Sequence, residues 1–314
     1  MPKIQYLRKK FSQLSLDTIV KANEIMETYA AQGYDLTLRQ LYYQFVSRGL
    51  IRNKDSEYKR LGSLINDARL AGLIDWAHIV DRTRNIQQNS HWFDPSSIIE
   101  SAALSYANDK WAGQVYRPQL WIEKDALVGV IQGVCGRLDV PYLSCRGYTS
   151  QSEMWSAAQR LLAYRESGQI PYIIHLGDHD PSGRDMTRDI QDRLRLFMGA
   201  PIEVHRIALN WNQIVQYNPP PNPAKVTDSR SNTYIAEFGA QSWELDALEP
   251  AVLTALVEKT IETLRDNEAW DSAVEQEKQG RSMLMSVASN WQAVTETLGI
   301  NQRECQPEMN MERR

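Results

Sequence analysis

Between residues 119 and 217 the chain alternates short apolar runs with amphipathic stretches, and this pattern constrains the fold class most. Runs at 119–123, 141–145, 171–176 and 202–209 have strand length, while 126–138, 150–165, 182–198 and the shorter 211–217 carry helical periodicity. Four strand–helix units in succession predict an α/β fold with a mainly parallel sheet and helices on both faces. Parallel neighbours need a crossover, and the crossovers cover the sheet. Chemistry in such sheets gathers at the carboxyl ends of the strands.

Acidic residues fall at those ends. The first strand closes Leu120-Trp121-Ile122-Glu123, and the third runs through His175-Leu176-Gly177-Asp178-His179-Asp180-Pro181-Ser182-Gly183. Two aspartates two residues apart can point the same way and offer hard oxygen ligands. Glu123, ending another strand of the same sheet, adds a third carboxylate, and one Glu with a DxD suits Mg²⁺. Aspartate at such positions also serves turns and helix N-caps. A carboxylate ending an apolar strand is costly unless something pairs with it, which favours the metal. Alternation turns His175 and His179 away from the aspartates, as ordinary neighbours.

The first 90 residues read differently. Helical periodicity covers about 17–31, then a helix from the N-cap Thr37 through Leu38, Leu41, Tyr42 and Phe45 to a stop at Gly49, then one from near Ser56 ending before Gly72. Residues 74–84 look extended and would supply a hairpin or wing. Three helices and a wing predict a winged helix-turn-helix with the third helix in the recognition position. On the second helix Tyr42 belongs to the apolar stripe, whereas Tyr43, four residues after Arg39, falls on a shoulder facing away from it. An arginine there could lower the phenol's pKa or clamp a phosphate that the phenol attacks.

Overall charge is −4, with 35 Lys+Arg against 39 Asp+Glu, which taken whole argues against a nucleic-acid partner. By region the sign changes. Residues 1–90 hold 14 basic and 9 acidic residues, a net +5, and residues 237–314 hold 7 and 15, a net −8. Lys54, Lys59, Arg60 and Arg69 lie on or beside the third helix, where they would bind phosphate or form a solvated basic face. Three cysteines without a CxxC pair fit a reducing, cytoplasmic setting and argue against a disulfide scaffold and a structural zinc site. No apolar run is long enough to cross a bilayer.

Arg39-Gln-Leu-Tyr-Tyr43 followed by Trp121-Ile-Glu-Lys-Asp-Ala-Leu127 and Gly177-Asp-His-Asp-Pro-Ser-Gly183 resembles the A subunit of type IIB DNA topoisomerases and the meiotic double-strand-break transesterases. The turn Arg146-Gly-Tyr-Thr-Ser150 and the segment Ser242-Trp-Glu-Leu-Asp-Ala-Leu248 are similar to further parts of that family. The chain's length matches the compact, Mini-A type found in mobile elements. The resemblance implies a CAP-like winged-helix domain bearing the catalytic tyrosine, then a Toprim domain and C-terminal helices. Its boundaries would be a tyrosine domain at 1–90, a linker at 91–117, the Toprim domain at 118–217, and a Pro-rich connector with a helical extension at 218–314. In that family the second tyrosine is the nucleophile, which falls on Tyr43. The arginine falls on Arg39, the Toprim glutamate on Glu123 and the DxD on Asp178 and Asp180.

The resemblance further implies Mg²⁺-dependent double-strand DNA cleavage through a 5′-phosphotyrosyl intermediate. Arg39 would stabilise phosphoryl charge, the aspartates would hold the metal, and Glu123 would share it or act as acid/base. It also implies a homodimer in which one protomer's tyrosine meets the other's metal, and a separate GHKL ATPase subunit of B type. Two other readings stay open: a Toprim nuclease that hydrolyses DNA without a covalent intermediate, and a non-catalytic DNA-binding protein. Helical periodicity at 248–264 and 283–297 fits packing against the sheet or a dimer contact.

Overall fold

Strong local signals set the order of elements. The computed structural model describes residues 3–79, 89–223 and 231–299. Three helices lead, α1 (Gln13–Ala30), α2 (Leu38–Ser47) and α3 (Asp55–Leu70), then α4 (Pro95–Ser105). The α/β part follows as β1 (Tyr116–Ile122), α5 (Val128–Arg137), β2 (Tyr142–Ser144), α6 (Gln151–Glu166), β3 (Ile170–Leu176), α7 (Pro181–Met198), β4 (Val204–Ala208) and α8 (Trp211–Tyr217). Then come β5 (Asn222–Pro223), α9 (Ser231–Phe238), β6 (Gln241–Ser242), α10 (Pro250–Glu262), α11 (Asn267–Ser289) and α12 (Trp291–Thr297). The chain divides into two compact units, one of Met1–Asn85 with Val115–Arg265, the other of Ile86–Gln114 with Asp266–Arg314.

The expected parallel sheet is present in the first unit, with strand order β2-β1-β3-β4. Leu120 stands opposite Ile174 and Tyr142, and Ile122 opposite Leu176 and Ser144, so the carboxyl ends of β1, β2 and β3 lie level. On one face Trp121 and Ile173 bury against Met154, Ala158 and Leu161 of α6 and Met186, Ile190 and Leu194 of α7. α10 packs against α5 and β4. The second core lies among α1, α2 and α3, where Ile19, Met26, Leu41, Phe45, Leu61 and Ile65 are buried together.

α2 shows why its sequence makes a helix there. Thr37 Oγ1 accepts the Gln40 N–H at 3.3 Å and Gln40 Oε1 accepts the Thr37 N–H at 2.8 Å, a reciprocal cap. Gly49, at φ +67°, supplies the left-handed residue that stops it. Of the extended stretch expected at 74–84, the described part is a single 3-10 turn, Trp76–His78, followed by Ile79 bridging in parallel to Leu36. Residues 80–84 of that stretch lie outside the described residues, as do Cys305 and most of the polar break at 85–90.

Within the stretch expected as a linker, 91–117, lie α4 and the start of β1. Asp94 caps α4, accepting the Ser97 N–H at 2.8 Å, and Pro95 opens it. In the second unit α4 packs on α11, Trp111 meets Trp270 edge-on at 5.9 Å, and Lys110 Nζ reaches Glu277 at 2.6 Å. Among the described residues no helix is long and apolar enough to cross a membrane.

Candidate active site

One cleft of about 450 Å³ in the first unit is lined by residues from its helical part and from the ends of its sheet, among them Arg39, Tyr42, Tyr43, Lys124, Asp178, Asp180 and Glu244. α2 contributes the tyrosines, the ends of β1 and β3 the lysine and aspartates, and the segment after β6 the glutamate. The strand-end placement expected of Asp178 and Asp180 is therefore met, and it coincides with the face of α2 that carries Tyr43.

Tyr43 does not sit on an open shoulder. It is only 4% exposed, and all residues from Gln40 to Val46 are buried. α2 packs on α1 and α3 on one side, and on the other it meets the turn Leu245–Ala247 from 200 residues further along the chain. Nor does Arg39 lower the Tyr43 pKa on balance. Burial, with the neighbouring Glu244 charge, holds the phenol above its ordinary value against Arg39 and Lys124. The Arg39 guanidinium lies 5.8 Å from the Tyr43 ring centre and is bound elsewhere, Nη2 to Glu244 at 2.7 Å and Nε to Asp246 at 3.1 Å. Tyr42 is also buried, donating its hydroxyl to Asn53 Oδ1 at 2.9 Å.

Lys124 is the residue that reading by motif passed over. Its ammonium lies 2.6 Å from Glu244, 3.0 Å from Asp178 and 3.1 Å from Asp246, so one partly buried cation serves three carboxylates. Burial opposes its charge, but Asp178, Asp246 and Glu244 together raise its pKa. Burial would raise the Glu244 carboxyl too, yet Lys124 and Arg39 hold it down at about 2. Asn222 links this hub to the tyrosine helix: its Nδ2 donates to Glu244 Oε1 at 3.4 Å, and Asn53 Nδ2 donates to its Oδ1. The sequence signal for Glu244 and Asp246 was their own two-residue spacing in Ser242–Leu248.

The metal-site candidates have partners of their own. Glu123 accepts the Asp178 N–H at 2.8 Å, Asp178 accepts the Leu245 N–H at 2.8 Å, and Asp180 caps α7 by accepting the Gly183 N–H at 2.6 Å. The turn and N-cap reading of the aspartates thus holds alongside their strand-end position. Among the described residues no three His, Cys, Asp or Glu side chains converge as a metal-holding group. In donor chemistry the trio still fits a hard divalent cation: all are carboxylates, and burial raises the pKa of both Glu123 and Asp178. A bound cation would add to the charge that Lys124 already sets against Asp178.

Two glycines make room for that arrangement. A Cβ on Gly177 would stand 2.9 Å from Glu123 Oε2, and one on Gly183 would meet the Asp178 carbonyl oxygen and stand 3.0 Å from Glu123 Oε2. Gly183→Ala is expected to cost about 1–3 kcal/mol through overpacking, read by denaturant unfolding. Behind the turn, Arg206 donates to four main-chain carbonyls: Gly183 at 2.9 Å, Gly177 at 2.8 Å, Asp178 at 2.5 Å and Leu209 at 3.3 Å. His175 meets Thr187 at 2.9 Å and His179 meets the Tyr234 hydroxyl at 2.8 Å, away from the cleft as expected.

The basic residues expected on DNA divide. Arg69 stacks over Trp76 at 4.3 Å and donates to the Trp76 and Ile79 carbonyls, a structural post. Lys59 and Arg60 are exposed and pair within α3, with Asp55 at 2.7 Å and Glu57 at 2.7 Å. Such surface pairs are weak and open readily to a phosphate. Lys54 precedes α3 and is exposed. No family model matches the chain, and no curated protein matches it.

Proposed function

We propose that the protein cleaves DNA by Mg²⁺-dependent transesterification onto Tyr43. One observation carries the reading: Tyr43 and Arg39 of α2 line the same cleft as Asp178 and Asp180 from the end of β3. A phosphodiester there would meet a phenol nucleophile, a guanidinium and a cluster of hard oxygen donors. Tyr43 Oη would attack the phosphorus and become joined to the 5′ end, while the bond to the 3′ oxygen breaks. Arg39 would stabilise the charge that develops on the phosphoryl oxygens. Asp178 and Asp180 would hold Mg²⁺, with Glu123 sharing it or acting as acid/base. When bound, the ion neutralises phosphoryl charge.

The substrate would be double-stranded DNA, approached through the exposed Lys54, Lys59 and Arg60. The partners proposed with it are a second copy of the chain and a separate GHKL-type ATPase subunit. The family resemblance implied a tyrosine acting on its partner's metal. Here Tyr43 and the aspartates of one chain already share a cleft, which supports action within a protomer. Hydrolysis by activated water is the second reading, and one observation favours it: burial and Glu244 raise the Tyr43 phenol's pKa, which makes it harder to ionise as a nucleophile.

Supercoiled plasmid incubated with Mg²⁺, then trapped with denaturant and treated with protease, separates these readings. Transesterification yields nicked or linear DNA with protein bound to the 5′ ends. Free 5′ phosphates without protein would establish the hydrolytic reading. Binding with no product under any divalent cation would leave a DNA-binding protein.

A further inference from the structure

Transfer to Tyr43 needs an acceptor for the phenol proton, and Glu244, which lines the same cleft, is the carboxylate whose charge acts on that phenol. Asp246 is poorly placed for the task, since it is fully buried and its two oxygens meet Arg39 Nε at 3.1 Å and Lys124 Nζ at 3.1 Å. Glu244 in the resting arrangement is held by two cations. Oε2 takes Arg39 Nη2 at 2.7 Å and Lys124 Nζ at 2.6 Å, and Oε1 takes Asn222. A carboxylate bound by two cations is a poor base.

Those cations are also the two that a phosphodiester would seek. Arginine matches phosphate with its planar fork, and lysine binds it as a point charge. Both line the cleft beside Tyr43. Glu244 therefore occupies the ligand position of a phosphate group, held by an arginine and a lysine next to a phenol.

We infer that Glu244 is the proton acceptor for Tyr43 and that the substrate arms it: a DNA phosphodiester entering the cleft takes Arg39 and Lys124 from Glu244. The inference rests on the transesterase reading. The Tyr43 Oη–P bond forms, the P–O3′ bond breaks, and its electron pair leaves on the 3′ oxygen. The phenol proton passes to Glu244, and solvent protonates the 3′ oxygen. Resealing runs the same steps backwards, with Glu244 returning its proton to Tyr43. Without a phosphate, Glu244 stays bound to its cations and Tyr43 stays protonated.

Single-turnover adduct formation and equilibrium binding of a short DNA duplex, measured together on wild type, Glu244→Gln, Glu244→Asp and Tyr43→Phe, test this. Glu244→Gln is expected to bind the duplex at least as tightly as wild type, because it releases both cations. Its adduct formation should fall by about 10²–10⁴-fold, the usual contribution of a general base. Glu244→Asp should recover at least about tenfold of that loss. Wild-type adduct rates in Glu244→Gln would overturn the inference while leaving Tyr43 as nucleophile. Loss of duplex binding along with the adduct, or an aspartate variant no faster than the glutamine one, would overturn it too. Absence of any adduct from wild type would sink the transesterase reading itself, and this inference with it.

Discussion

Tyr43→Phe is expected to abolish the covalent protein–DNA adduct, a loss on the order of 10⁴-fold or more, while leaving the fold in place. The substitution removes one oxygen. The ring keeps its edge-on contact with Tyr42 at 5.2 Å and its place in the core of the first three helices. What is lost is the interaction of the hydroxyl with Glu244, worth about 0.5–1.5 kcal/mol of stability. Denaturant unfolding should therefore show a small shift, and the trapped-adduct assay a complete one. Adduct at the wild-type rate from this variant would remove Tyr43 from the chemistry. Tyr42→Phe serves as a control, since its hydroxyl is tied to Asn53 and turns no proton toward Glu244.

Lys124→Met should have the largest effect on stability. Its ammonium is shared by Asp178, Glu244 and Asp246, and all three carboxylates are largely withdrawn from water. Removing one member of a buried ionic group leaves charge uncompensated, at a cost of about 3–5 kcal/mol. The cost depends on pH in a defined direction. Glu244 is held at about 2 in the wild type, below the ordinary glutamate value of about 4.3. Its stabilising contribution is thus present above about pH 4.3 and is lost as pH falls through 2. The gap between wild type and Lys124→Met should accordingly be widest near neutrality and narrow in acid. An equal gap at pH 7 and pH 3 would mean that lost packing, not lost charge, is responsible.

The α/β core was legible because its signals are local. Strand-length apolar runs alternate with amphipathic helices, and each of the four expected strands lies within three residues of its place. Thr37 and Gly49 bounded α2 for the same reason. Three helices escaped. α4 begins with Asp94-Pro95, an N-cap and first-turn pair that its weak apolar stripe obscured. α9, Ser231–Phe238, is short. α11 was read only from its last turns, because Trp270 and Glu277 are its only buried residues and a polar run fills its middle at 275–282.

In the candidate site, periodicity placed Tyr42 correctly but gave Tyr43 a free face. A helix covered on two sides has no free shoulder, and the second cover comes from Leu245–Ala247, far along the chain. The same distance hid the hub. Arg39 and its acidic partners are more than 200 residues apart, and no local pattern reports that they meet. Lys124, next to Glu123 in the strand-end motif, was within reach of the reasoning applied to that glutamate. A buried carboxylate cluster calls for a nearby cation, and the adjacent residue was one.

The grip of Arg206 on four carbonyl oxygens carries a practical consequence. The loop bearing Asp178 and Asp180 is tethered by its peptide groups, so its path does not rest on the two acids alone. Amide replacements there can silence the acids with much of their scaffold still braced. Arg206→Met would do the converse, freeing the loop while every acidic group remains. Comparing the two kinds of variant separates the contribution of charge from that of shape, a distinction that altering the acids alone cannot make.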